Sequence, residues 1–87
     1  MTNTTKTQPV DHIRIGAVEA TIWANTTKDN RTFYSVQIQR KYTDQNGDPQ
    51  NASGFNLGDL PAVEKVSAQA LIAVQALNAV LARSEAA

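Results

Sequence analysis

The chain has 87 residues with eight basic and eight acidic side chains, no cysteine and one histidine. Those counts exclude disulfides, thiolate metal sites and multi-histidine metal clusters, and zero net charge sets the chain apart from strongly basic nucleic-acid binders. A single domain this small buries only about 60% of its unfolded surface, so self-association is the remaining common route to more buried apolar area.

Residues 1–10, MTNTTKTQPV, are polar and without apolar periodicity, which predicts a disordered tail ahead of one domain over 11–87. The segment lacks the apolar stretch of a signal peptide and the arginines of a transit peptide. No unbroken apolar run approaches the roughly 20 residues that span a bilayer, so the expectation is a cytoplasmic protein without a membrane partner.

HIRIGAVEATIWAN alternates as a strand does, but its parity changes midway. Ile13, Ile15 and Ala17 form the first apolar set; Val18, Ala20 and Ile22 form the second. A parity switch needs an extra residue, and Gly16 tolerates the dihedrals of a bulge, so one bent strand is predicted. Its polar face carries His12, Arg14, Glu19, Thr21 and Trp23.

NTTKDNR, 25–31, reads as a turn-rich loop, and TFYSVQIQRKYT as the next strand. Tyr34, Val36 and Ile38 share one face of it; Phe33, Ser35, Gln37, Gln39 and Lys41 share the other. Asn46-Gly47 is a strong hairpin-turn signal, and a shorter strand over about 52–57 closes the sheet with Phe55 and Leu57 inward.

Asp59 is a candidate N-cap with Pro61 in the first turn, and one helix follows to about Arg83. Val63, Val66, Ala70, Ala73, Val74, Leu77, Val80 and Leu81 form a stripe suited to covering the sheet. Ala68, Ile72, Ala76 and Ala79 form a second set, and between Ala68 and Ala82 only Gln69, Gln75 and Asn78 are polar. A helix apolar nearly all round is a buried helix, so this second set predicts a twofold helix-to-helix homodimer. Alanine's high helix propensity is the competing explanation.

No catalytic constellation is present, and no metal or cofactor is expected. GFNLG, 54–58, lacks the Gly-Lys-Ser/Thr of a phosphate loop, and DQNGD, 44–48, lacks the later glutamate of a calcium loop. The expectation is a non-enzymatic protein with no small-molecule substrate.

The polar sheet face is the informative feature. Between residues 12 and 43 lie Arg14, Lys28, Arg31, Arg40 and Lys41 against Glu19 and Asp29. Trp23 and Phe33 share the polar face with Gln37, Gln39, Lys41 and Arg14, and Lys28 and Arg31 sit in the adjoining loop. Rings interleaved with cations and amides suit single-stranded nucleic acid, in which bases stack on rings and cations meet phosphates. Two other readings stay open: a cross-strand aromatic pair that stabilises the hairpin, and a small dimeric protein–protein interaction module.

Ile13-Arg14-Ile15-Gly16 opening a strand, VQIQRKYTDQNGDPQ running a strand into a turn, and GFNL before the last helix carry a family resemblance. Over roughly 12–80 the chain resembles the single-stranded-DNA-binding core of the transcriptional positive cofactor four family, whose fold is akin to that of Whirly proteins. The resemblance implies an α+β fold, ββββα: a curved four-stranded antiparallel sheet followed by one long C-terminal helix, dimerisation through the helices, and single strands of DNA (or RNA) bound across the sheets in a transcription or replication accessory role. It implies binding roles for Arg40, Lys41 and Tyr42. The family core is lysine-rich where this chain is neutral, and Tyr42 stands where the family often has tryptophan. Strict alternation places Arg40 and Tyr42 on the opposite face from Lys41.

Overall fold

A computed structural model describes residues 4–86 of the backbone, with side-chain surroundings for 7–83. Four antiparallel strands, β1 (Thr4–Ile15), β2 (Val18–Thr27), β3 (Thr32–Thr43) and β4 (Pro49–Ala52), form one sheet in the order β1-β2-β3-β4. A 3-10 turn at Leu57–Asp59 leads into α1 (Leu60–Ala86). The architecture is the expected ββββα, but the strands are divided differently.

The segment 12–25 is not one bent strand. Gly16 and Ala17 are the two central residues of a hairpin turn, with Ile15 opposite Val18. Gly16 has φ 60° and Ala17 has no positive φ, the pattern of a type II′ turn, whose first central position favours glycine. Ile15 and Val18 share a face because they oppose each other across a turn, which produces the parity switch without a bulge at that point.

The partner for the first half of β2 is Ile13–Ile15, and for its second half it is the segment expected to be disordered. Thr7 pairs with Asn25, Gln8 with Ala24 and Pro9 with Trp23. The expectation of a tail through residue 10 is corrected to an ordered strand from Thr4; residues 1–3 lie outside the described residues. A register shift between Pro9 and Asp11 supplies the one extra residue that keeps Ile13 and Ile15 on the helix side.

The other two connections are shorter than expected. β2 continues to Thr27, leaving Lys28-Asp29-Asn30 as the loop, with Asn30 at φ 62° and the Thr27 amide donating to the Arg31 carbonyl at 2.9 Å. The β3–β4 turn repeats this plan: Gly47 has φ 82°, and the Asp44 amide donates to the Asp48 carbonyl at 3.0 Å. A turn followed by a left-handed residue is the common three-residue hairpin loop. β4 therefore starts at Pro49, earlier than the strand expected over 52–57.

One face of the sheet forms the core with α1. Ile13 is opposite Ala20 and Ala20 opposite Ile38, while Val18, Ala20, Val66 and Ala70 pack as the buried cluster with Ile22 also fully buried. Phe55 packs against the same cluster as expected, but Leu57 is 85% exposed. The Asp59 carboxylate does not cap the helix as a first residue; it accepts the Asn56 amide at 2.9 Å, a turn earlier. Within the expected stripe Val66 and Ala70 are buried, whereas Val80 is exposed.

The molecule is elongated, 51 × 25 × 19 Å, with a radius of gyration of 15.4 Å. A compact domain of this length would have about 12 Å. Its accessible surface is 6266 Å²; a folded monomer of this mass exposes roughly 5,000 Å². Much of the helix contributes to the surplus: Leu71, Ile72 and Val80 are 59, 66 and 61% exposed. By length and composition the stretch Leu57–Arg83 is apolar enough to cross a bilayer, a property that the search for unbroken apolar runs missed because Gln69, Gln75 and Asn78 interrupt them.

Candidate nucleic-acid interface

The face of the sheet away from α1 is organised by strand register into cross-strand rows. Arg14, Glu19 and Gln39 form the row nearest the Gly16 turn; His12, Thr21 and Gln37 form the next. Pro9, Trp23 and Ser35 follow, and then Thr7, Asn25 and Phe33. Lys41, opposite Asn51, extends the charged end. Alternation of side chains along each strand puts all of these on one surface. The charged end and the aromatic end are four residues apart along β2, about 13 Å.

At the charged end, Glu19 sits among the cations. Lys41 Nζ is 3.3 Å from Glu19 Oε1, and Arg14 lies directly across the strand pair from Glu19. Arg14 Nε also donates to the Gly16 carbonyl at 3.0 Å, which holds the guanidinium beside the turn. Thr21 Oγ1 and His12 Nδ1 are 3.3 Å apart in the next row.

At the aromatic end, Trp23 is half-buried and Phe33 exposed. Trp23 faces Ser35 and Phe33 faces Asn25, so the two rings occupy diagonal positions, as expected from the sequence. Asn25 lies beneath them. Its side chain is 7% exposed, and its Nδ2 donates to the Ser35 hydroxyl at 3.1 Å and to the Phe33 carbonyl at 3.3 Å. Thr7 Oγ1 donates to Asn25 Oδ1 at 3.1 Å, which ties β1 to this end of the sheet. Thr7, Trp23, Asn25, Ser35, Val36 and Gln37 line a recess of about 350 Å³.

Sequence reasoning gathered Arg14, Trp23, Phe33, Gln37, Gln39 and Lys41, and the structure brings these six onto one face. Lys28, in the β2–β3 loop, and Arg31, just after it and opposite Thr27, are exposed at its border. Arg40 and Tyr42 are not on it. They face the helix side, opposite Ala52 and Gln50. Arg40 Nε is 3.5 Å from Asp59 Oδ2 and 3.3 Å from the Gly54 carbonyl, and the guanidinium lies 5.2 Å from the Tyr42 ring centre. These contacts give Arg40 a place in fastening the segment after β4 to the sheet. Thr7 was missed because it was read in a tail, and Asn25 because it was read at the junction of strand and loop, with no upstream strand beside it; the threonine-rich 2–7 segment was the available β signal.

The expected interface set on α1, Ala68, Ile72, Ala76 and Ala79, is exposed along the helix. Beside it Val36, Ile38, Ser67, Ala70, Leu71 and Val74 line an apolar groove of about 290 Å³ between β3 and the helix. Among the described residues no cluster of histidine, cysteine or acidic side chains is arranged to hold a metal. No family model matches the chain, and neither a curated protein nor a solved structure matches it.

Proposed function

We propose that this protein is a homodimeric, non-enzymatic binder of single-stranded nucleic acid, single-stranded DNA above all, which lies across the outer sheet face with little sequence preference. The observation that carries the reading is the layout of that face, with cations at one end and two rings at the other on a single antiparallel surface. Phosphates meet Arg14 and Lys41, while bases stack against Trp23 and Phe33; stacking is tolerant of sequence because every base has a π-face. The element order agrees with what the resemblance to the positive cofactor four family implies. The proposed contacts differ from that family's expectation in leaving out Arg40 and Tyr42, which are engaged on the helix side.

The homodimer is supported by area. The chain exposes roughly 1,200 Å² more than a folded monomer of its mass. Obligate homodimers bury about 2,000 Å² or more in total, or about 1,000 Å² from each copy. The exposed apolar residues of α1 are the surface that a second copy would cover.

Titration with single-stranded and duplex oligonucleotides over a range of salt tests the function. Single strands are expected to bind more tightly, since duplex bases are already stacked on each other. Lys41→Ala is expected to flatten the plot of log affinity against log salt by about 0.7 for one lost phosphate contact. Trp23→Ala is expected to cost about 1–3 kcal/mol with little change in that slope. Equal affinity for duplex and single strand contradicts the proposal. Recovery of a specific protein partner with no oligonucleotide binding at low salt favours the protein-interaction reading instead.

A further inference from the structure

The two edges of the sheet are built differently. On the β1 edge stand Pro9, two register shifts and the charges of Asp11 and Arg14. Proline, bulges and charge are the features that keep an edge strand from pairing with another chain. The other edge is open for most of its length. β4 pairs only with residues 40–43, so among the described residues 32–39 of β3 have β2 on one side and no strand on the other. The Lys41 amide donates to the Ala17 carbonyl on the β2 side at 2.7 Å. Main-chain groups alternate sides along an antiparallel strand, so those of Tyr34, Val36 and Ile38 point outward. This stretch, TFYSVQIQ, holds no charge, proline or glycine, and its pairing with β2 has no register shift. Val36 is 40% exposed, and with Ile38, Leu71 and Val74 it lines the apolar groove under the same edge.

From this asymmetry we infer that residues 32–39 of two copies pair antiparallel about a twofold axis and join their sheets into one; the inference rests on the homodimer proposed above and says how its copies meet. Three observations favour a second copy over a foreign peptide as the occupant of the edge. A strand paired with its own copy sets residues of one stretch against each other, and an uncharged stretch does so without opposing like charges. Leu71 is 59% exposed beside the groove, so a copy joined at this edge also covers the flank of α1. The surplus surface of roughly 1,200 Å² is what one copy of an obligate homodimer contributes, more than a single added peptide strand would cover. The joined sheet has a consequence for the outer face. The Trp23 rings of the two copies come to lie three strand spacings apart across the sheet, about 14 Å, on one continuous surface.

Amide hydrogen exchange of the full chain, read by NMR beside light scattering, tests the pairing without altering the protein. By the same alternation the Arg14 amide faces outward on the β1 edge and serves as the unpaired reference. The Tyr34, Val36 and Ile38 amides are expected to exchange at least about tenfold more slowly than that of Arg14. Val36→Pro removes one outward amide and leaves the β2–β3 hydrogen bonds in place. It is expected to give a monomer with the circular dichroism of the natural chain. A dimer whose Tyr34, Val36 and Ile38 amides exchange as fast as that of Arg14 overturns the edge pairing and leaves a dimer through the helices standing. A natural chain that is monomeric, its β3 edge left for a foreign strand, overturns the pairing and the homodimer together.

Discussion

Glu19 is the residue whose chemistry most opposes anion binding on the outer face. Its carboxylate lies 3.3 Å from Lys41 Nζ and across the strand pair from Arg14, so a phosphate bound there would compete with it for Lys41 and meet its charge beside Arg14. Glu19→Gln keeps the shape and removes the competitor. Tighter single-strand binding and a steeper salt dependence are expected, measured by anisotropy at several salt concentrations; unchanged affinity would mean that Lys41 and Arg14 do not contact phosphate. Asp44 acts on structure instead. The Asp48 amide, above all, donates to its carboxylate and, with the Asn46 amide and the Gln50 side chain, outweighs desolvation, the second-largest effect, to hold its pKa below the ordinary aspartate value. A lowered folded-state pKa favours the folded turn above the unfolded-state pKa, and that contribution is lost as pH falls through the folded value. An NMR titration of the Asp44 carboxyl should therefore show a midpoint below that of an unstructured peptide carrying the same turn.

Elements were legible in the sequence where alternation was strong. The two faces of β3, the polar face of β2 and the existence of α1 follow from apolar periodicity alone, because a strand with one buried face cannot slip by a single residue without exposing it. Periodicity does not distinguish a bulge from a hairpin turn at Gly16, since both reverse parity, and the choice depends on whether a partner strand exists upstream. That partner was hidden because the Thr4–Pro9 half of β1 has no apolar face of its own. It is ordered through main-chain pairing with β2 and through Thr7 on Asn25. Two tests belong at this scale. Gly16→Val places a β-branched residue at φ 60°, and since nothing crowds an added Cβ there, the cost is conformational, about 1–2 kcal/mol, read as a lowered melting temperature. Asn25→Ala removes the link between β1, β2 and β3 and should cost about 1–3 kcal/mol in denaturant unfolding.

For the whole molecule, the elongated shape and the surplus surface support the proposed self-association, and a dimer would present two sheet faces to one strand and gain from their linkage. Ile72 is 66% exposed in the single chain, so Ile72→Asp leaves the chain's own core intact. In a helix-to-helix dimer the same carboxylate would be buried without a partner. Light scattering should report a dimer for the natural chain and a folded monomer for the variant; a natural chain that stays monomeric at high concentration contradicts the dimer. Amide chemical-shift mapping of the labelled protein during addition of oligo-dT shows which face meets the ligand. A site on the outer sheet face requires the largest shifts at the Trp23 indole N–H and at the amides of Arg14, Ser35, Gln37 and Lys41, with α1 little changed. Shifts concentrated on Leu71, Ile72 and the helix, or none at saturating oligonucleotide, would contradict it.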